Sequence, residues 1–365
     1  MSARIRGSFW ALLLYDVSER IDLGEARTQL GVVRPEKKPE FRGATPDYVG
    51  FASHPVVYEP AAGGVIDRAT VHCVVKLYDY GVISVALERP FDCGWDELVT
   101  LSNRWIGSAE IERESERIAR EELSRVRSTL ENPYDAWTAE DYCIVHVREA
   151  VDGHGRRPNA KDVITTCGDF VARIVRGESV PLSEGETAEI LGKWLSYYPA
   201  DLAVVGWMAA FVYDTPEGAL PMLQLLEHVN TQLLEFRYYD DLLTRVLADV
   251  YRRLDHRRGM LGRWRTGREA EALNRVRLDI IELTEQVDNS IKFLSDMFYA
   301  RAYGLAARRI GVTDYRDLVD EKLRTAGELY ESMVSEFHQA RAFVLEATVV
   351  AILVIELVLL FRGKA

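Results

Sequence analysis

The feature that most constrains this chain is the run from Phe343 to Phe361, FVLEATVVAILVIELVLLF. At 1.5 Å per residue it makes roughly 28 Å of helix, close to the hydrocarbon thickness of a bilayer. Arg362 and Lys364 follow it and supply cations for a headgroup region. The run predicts a single-pass membrane helix over 343–361, acting as a C-terminal anchor. Two glutamates interrupt it. Glu346 lies near one end, within reach of headgroups, whereas Glu356 lies deeper and must be protonated, paired or turned toward protein. The alternative is a helix of a soluble assembly in which 343–361 is buried between subunits.

The rest of the chain is globular in composition. Of its 365 residues, 48% are hydrophobic and 28% charged, enough for two domains. A net charge of −12 argues against broad nucleic-acid binding. The cysteines Cys73, Cys93, Cys143 and Cys167 form no C-x-x-C pair, which predicts free thiols in a reducing compartment and no zinc. The apolar run Phe9 to Tyr15 is too short for a secretory signal, and Asp16, Glu19 and Arg20 follow it. With the anchor at 343–361, residues 1–342 are expected on the cytoplasmic (or organelle matrix) side.

The first part of the chain reads as an α/β head, residues 1–214. Phe9 to Tyr15 predicts a buried strand, and Ser18 a cap for a helix over Leu23 to Leu30. Residues 33–64 read as a long loop with a minor strand at Val56 to Tyr58. Thr70 to Tyr78 and Val82 to Leu87 are β-branched and aromatic, joined by Asp79-Tyr80-Gly81 as a hairpin. Helical periodicity runs from Asp96 to Leu130, broken near Gly107-Ser108 and ended by Asn132-Pro133. Tyr142 to Val147 predicts a strand, Asp162 to Val175 and Glu186 to Leu195 helices, and Ala203 to Tyr213 one further strand. Strand, helix, strand, strand, helix, strand is the ferredoxin-like order, so an α+β fold with a ferredoxin-like sandwich is expected.

Beyond Thr215, a cap followed by Pro216, strand signals stop. Met222, Leu226, Val229, Leu233, Phe236, Asp240, Leu243, Leu247, Val250 and Leu254 recur at spacings of four and three. A second stripe begins at Leu273, and Gly311 closes it. A third runs from Val319 through Ala340 and Val344 into the apolar segment. These stripes predict a long antiparallel, coiled-coil-like helical stalk over 215–342. A hairpin folded about Gly259 to Gly267 brings Glu235 beside Lys292, Arg237 beside Asp288 and Asp240 beside Gln286, a buried polar layer that sets register. At its tip Arg257, Arg258, Arg263, Trp264 and Arg265 form a basic, aromatic patch suited to an anionic membrane surface or a partner.

No nucleophile elbow, phosphate loop, dinucleotide glycine pattern or histidine ligand spacing is present, so no catalytic, cofactor-binding or metal-binding residue is assigned. At two places the chain resembles a known family. Val74-Val75-Lys76-Leu77-Tyr78-Asp79-Tyr80-Gly81-Val82-Ile83-Ser84-Val85 is similar to its early hairpin. Leu345-Glu346, leading the apolar run to Glu356, is similar to its C-terminal signature. This is the required-for-meiotic-nuclear-division family, found in bacteria, fungi and mitochondria. The resemblance implies a membrane-anchored, non-enzymatic protein, with mitochondrial members supporting translation at the inner membrane. The expected function is a scaffold or tether at a lipid bilayer, a homo-oligomer with an unidentified protein partner. The competing expectation is an enzyme with a site in the α/β head.

Overall fold

The computed structural model describes residues 4–32, 54–60, 64–67, 69–150, 157–255, 270–278, 280–281, 284 and 297–362. The chain is a mixed α+β protein with an N-terminal sheet and a long apolar helix near its C-terminus. It divides into two compact units, Met1–Phe236 with Val287–Tyr315, and Arg237–Gln286 with Arg316–Ala365.

The first unit is organised around two long strands. β1 covers Ile5–Ile21 and β6 covers Leu130–Ala150, paired antiparallel. β1 therefore extends past the apolar run on both sides, and beyond Tyr15 its polar residues Asp16 and Ser18 are buried rather than turned to water. α1 (Leu23–Leu30) follows, capped by Asp22. The expected cap, Ser18, lies inside β1 and donates instead to Arg20 O at 3.0 Å. β2 (Val56–Tyr58), β3 (Gly64–Ile66), β4 (Ala69–Leu77) and β5 (Val82–Cys93) come next. α2 (Trp95–Trp105) and α3 (Ala109–Arg125) break at Gly107, as the sequence predicts. Asn132-Pro133 does not end a helix. It lies within β6, with Pro133 opposite Ser18 at a register shift, a position where a proline's missing N–H is tolerated.

α4 (Ala160–Arg176) starts with a capping box between Asn159 and Asp162, and α5 is Glu184–Leu191. The apolar run expected as one strand is a tight hairpin, β7 (Leu202–Val205) and β8 (Ala209–Tyr213). Its turn, Gly206-Trp207-Met208, carries no polar turn residue, which hides it in the hydropathy pattern. Strand order is β2-β4-β5-β1-β6-β8-β7, with β3 on β4. All these neighbours are antiparallel except β6 and β8.

Strand alternation gives the sheet two different faces. Phe9, Ala11, Leu13, Tyr15 and Val17 join one apolar core with α2, α3 and α4, where Phe9 packs edge-on against Trp105 at 4.6 Å. The other face of β1 carries Leu12, Leu14 and Asp16, all buried. The helix α6 (Pro216–Asp255) supplies side chains to this face from its first half, and α7 (Met297–Ile310) also belongs to this unit. Thr215 caps α6 as predicted, accepting from Gly218 N at 3.1 Å.

The second unit contains the rest of α6, helical residues 270–278, and most of α8 (Val312–Arg362). Leu247, Val250, Ala270, Leu273, Ala326 and Met333 form its core. Gly311, at φ +97, separates α7 from α8, where the second apolar stripe ends. Described residues after Gly218 are helical or at helix ends, and α8 continues without a break from Val319 through 343–361.

The hairpin between β4 and β5 has one position without freedom. Gly81 sits at φ +89, and a Cβ there would lie 1.7 Å from Ser18 O. Val17 N bonds to Gly81 O at 3.0 Å, so β1 crosses directly over the turn. Gly81→Ala combines left-handed strain with a backbone collision. It should lower stability by about 3 kcal/mol or more, read as a fall in the urea midpoint at unchanged slope.

Candidate functional site

The least expected feature of the first unit is a polar seam in its interior. Residues 225–236 of α6 are buried without interruption. They include Glu227, His228, Asn230, Thr231, Gln232 and Glu235. A helix buried on all sides is ordinarily apolar. Here Glu227, Thr231 and Glu235, four residues apart, lie along one face and meet the sheet in turn.

Glu227 is held by two adjacent strands. Lys76 on β4 and Ser84 on β5 are direct cross-strand partners. Lys76 Nζ lies 2.7 Å from Glu227 Oε2, and Ser84 Oγ donates to Oε1 at 2.6 Å. The Lys76 and Glu227 side chains are only 9% and 5% exposed, so neither charge is solvated and each requires the other. One turn later the Tyr80 hydroxyl donates to Thr231 Oγ1 at 2.9 Å, and Thr231 donates on to His228 O at 2.7 Å. Away from the sheet, Tyr303 of α7 donates to Gln232 Oε1 at 2.7 Å.

The third contact brings acids together. Burial, reinforced by the charge of Glu235, holds the Asp16 carboxyl well above the usual carboxylate range. Asp16 Oδ2 has no hydrogen-bond partner among the described residues. Burial likewise pushes His228 down to about 4, so it is neutral, and raises the Tyr80 hydroxyl well above its ordinary value. His146 is depressed by burial, with Nε2 at 3.1 Å from Asp214 O. The seam can therefore store a proton and hold an ion pair. Each of Asp16, Lys76, Ser84 and Glu227 is under a tenth exposed, so an outside molecule reaches none of them while α6 is docked. No group of three or more His, Cys, Asp or Glu with metal-binding geometry occurs among the described residues.

Openings lie elsewhere in the same unit. A small cavity of about 30 Å³ is lined by Tyr197, Tyr198, Asp201, Phe298 and Tyr299. A cleft of about 240 Å³ lies between α4, α5 and the β7–β8 turn. Between the sheet and α4 the structure is apolar, with Val163, Val171 and Ile174 in the main core.

Of the polar layer expected from sequence, Glu235 is in the seam and faces Asp16. Arg237 and Asp240 belong to the second unit, where Asp240 Oδ1 pairs with Lys322 of α8 at 2.5 Å, and Lys322 also reaches Thr244. The partners proposed for them, Gln286, Asp288 and Lys292, lie outside the described residues, as does the basic patch Arg257, Arg258, Arg263, Trp264 and Arg265. Glu346 and Glu356 are both exposed on α8. Asp16, Lys76, Ser84 and Glu227 belong to no motif in the sequence. The available signal was local: Lys76 is the one charge in the apolar stretch Val74–Leu77, and Glu227, Thr231 and Glu235 keep a four-residue spacing.

Removing one partner of the buried pair leaves the other uncompensated. Lys76→Met and Glu227→Leu should each lower unfolding free energy by about 3–5 kcal/mol, while the double variant recovers most of that loss. Chemical denaturation of the four proteins completes the cycle. The pH profile carries a second expectation. Asp16 keeps in the fold a proton that the unfolded chain releases above about pH 4. Its contribution is therefore full below that pH and declines as pH rises through neutrality toward the raised folded value. His228 acts oppositely, losing stability as pH falls from about 6.5 toward its depressed value. Asp16→Asn should flatten the neutral-to-alkaline slope of stability and raise the urea midpoint at about pH 8. An unchanged slope contradicts the assignment.

No solved structure matches the chain. The uncharacterized protein MJ0711 from Methanocaldococcus jannaschii is 20% identical over 190 residues, covering 52% of this chain and 58% of that protein. The match thus spans less than two thirds of the relative's own length. Residues 6–219, which carry every strand of the sheet and the first turn of α6, match a family described as the N-terminal domain of uncharacterized protein MJ0711, and the chain belongs to that family.

Proposed function

We propose that the protein is a membrane-anchored, non-enzymatic scaffold or tether, with its α+β head held at a bilayer by residues 343–361. One observation carries this reading. The apolar part of α8 has a mean hydropathy of 2.7 over an 18-residue window, and none of that window is buried inside the chain. A contiguous apolar surface of this size is far larger than water-exposed patches on monomeric proteins. Lipid covers it with no further partner, and its length suits a bilayer.

The finer features belong to the same proposal. The order β4-β5-β1-β6, with antiparallel neighbours and helical connections, supports a ferredoxin-like core to which β8 and β7 are added. The four-three stripe along α6 and α8 supports coiled-coil-like packing of the helical part. Free cysteines at Cys73, Cys93, Cys143 and Cys167 favour a reducing compartment for residues 1–342, hence the cytoplasm or an organelle matrix. Glu356, exposed within the apolar stretch, favours self-association, since a second copy can cover an acid that lipid cannot. The likeness to the required-for-meiotic-nuclear-division family points the same way and suggests support of translation or another assembly at the membrane.

Carbonate extraction of cells expressing the chain tests the anchor. The full-length protein should stay in the membrane pellet, and a chain lacking 343–361 should be released. Recovery of the full-length protein in the soluble fraction, as a stable oligomer in detergent-free buffer, would instead assign 343–361 to a contact between subunits.

A further inference from the structure

The cleft between α4, α5 and the β7–β8 turn joins an apolar wall to a fixed cation. It holds about 240 Å³. Trp207 and Met208, which are 55% and 43% exposed, line it, so it communicates with solvent. Val175 and Ile190 supply its aliphatic side. The Trp207 ring is supported from behind. A Cβ on Gly311 would lie 3.2 Å from Trp207 Cζ3 and 3.3 Å from Cη2. Only a residue without a side chain lets the ring rest there against the backbone, and that contact holds an exposed indole at the cleft.

Two arginines and two glutamates also line the cleft, and the members of each pair are held unequally. Arg309 of α7 donates to Glu189 Oε1 at 2.8 Å and to the Glu189 backbone O at 2.9 Å. The backbone bond keeps the guanidinium in place whether or not the carboxylate stays. The Arg309 side chain is 24% exposed, whereas that of Glu189 is 71% exposed and can turn into water. Arg176 and Glu186, 3.3 Å apart, form a looser pair, with both side chains exposed. Ion pairs with an exposed member contribute little to stability. An incoming anion therefore displaces a carboxylate that water solvates readily. An incoming cation would have to displace a largely buried guanidinium tied to the backbone. That asymmetry selects anions.

We propose that this cleft binds a small organic carboxylate with a flat apolar body, its oxyanion on Arg309 in place of Glu189 and its body against Trp207, Val175 and Ile190. Arg309 Nη1, which now donates to Glu189 Oε1, supplies a charge-assisted hydrogen bond to the new carboxylate. Arg176 adds a second positive charge at the same cleft. An apolar lining with a few fixed polar groups is the ordinary composition of a small-molecule site. A polyphosphate suits it poorly, because further charges would lie against the aliphatic side. The proposal goes beyond the scaffold reading and does not depend on the anchor, since every residue in it belongs to the first unit.

Calorimetric titration of the full chain in a non-ionic detergent, against matched empty micelles, tests the site. The probe is naphthoate, with naphthylmethylamine and naphthylmethanol as its cationic and neutral counterparts. Naphthoate should saturate a single site and bind about tenfold or more tightly than either counterpart. Arg309→Gln and Trp207→Leu should each weaken it about tenfold. Glu189→Gln removes the competing carboxylate, keeps the backbone carbonyl that holds Arg309, and should tighten binding severalfold. A purely structural role for the Arg309–Glu189 pair predicts the opposite sign for that variant, which also remains informative if Arg309→Gln fails to fold. No saturable binding of naphthoate, equal affinity for the three probes, or weaker binding by Glu189→Gln overturns the proposal. A full-length chain that carbonate releases and that still binds naphthoate removes the anchor and keeps this site.

Discussion

A carboxylate carried to the middle of a covered sheet must meet a cation and a donor there, or the helix that carries it cannot dock. Glu227 meets both, Lys76 and Ser84 being neighbours across β4 and β5. Most of the first unit's arrangement follows from that contact. It sets which face of α6 turns to the sheet, places Thr231 under Tyr80 one turn later, and sets Glu235 against Asp16 after another. A purely apolar helix would dock as firmly and slide more freely. The geometry of an ion pair with a hydroxyl clamp selects one rotation and one register, the use for which buried polar groups are best attested.

The seam in turn depends on the path of β1. That strand must keep a buried acid and then pass over the β4–β5 turn within bonding distance. The register shift between Asp16 and Ser18 and the bare Cα of Gly81 make the crossing possible. The hairpin motif Asp79-Tyr80-Gly81 therefore has two roles. It reverses the chain, and its tyrosine reaches Thr231. The seam also makes stability respond to pH from both sides, through an acid that burial keeps protonated and a histidine that burial keeps neutral.

Much of the architecture is legible in the amino-acid sequence. Strands at 70–78 and 82–87, the break at Gly107, the cap at Thr215 and the stop at Gly311 depend on local chemistry, and the chain forms them where that chemistry lies. Elements whose signals are tertiary were misread. The β7–β8 turn is built from Gly206, Trp207 and Met208 without polar turn residues, because Met208 O bonds to Cys143 N on β6 and the turn is held from outside. Asn132-Pro133 reads as a helix stop, yet it is strand, because it lies opposite the β1 bulge. The seam was half visible. Glu235 is legible as a member of a buried polar layer, but Lys76 and Glu227 lie 151 positions apart, and no local pattern joins them.

What the sequence determined by itself was therefore periodic and local: an α+β chain, its helical second half, and an apolar run of bilayer length, since each follows from the spacing of apolar residues along one element. Which buried charges meet and which acid keeps its proton were decided only by tertiary structure. Those properties belong to pairs of residues far apart in the chain, and their energies arise from desolvation, which exists only once the surrounding elements have excluded water.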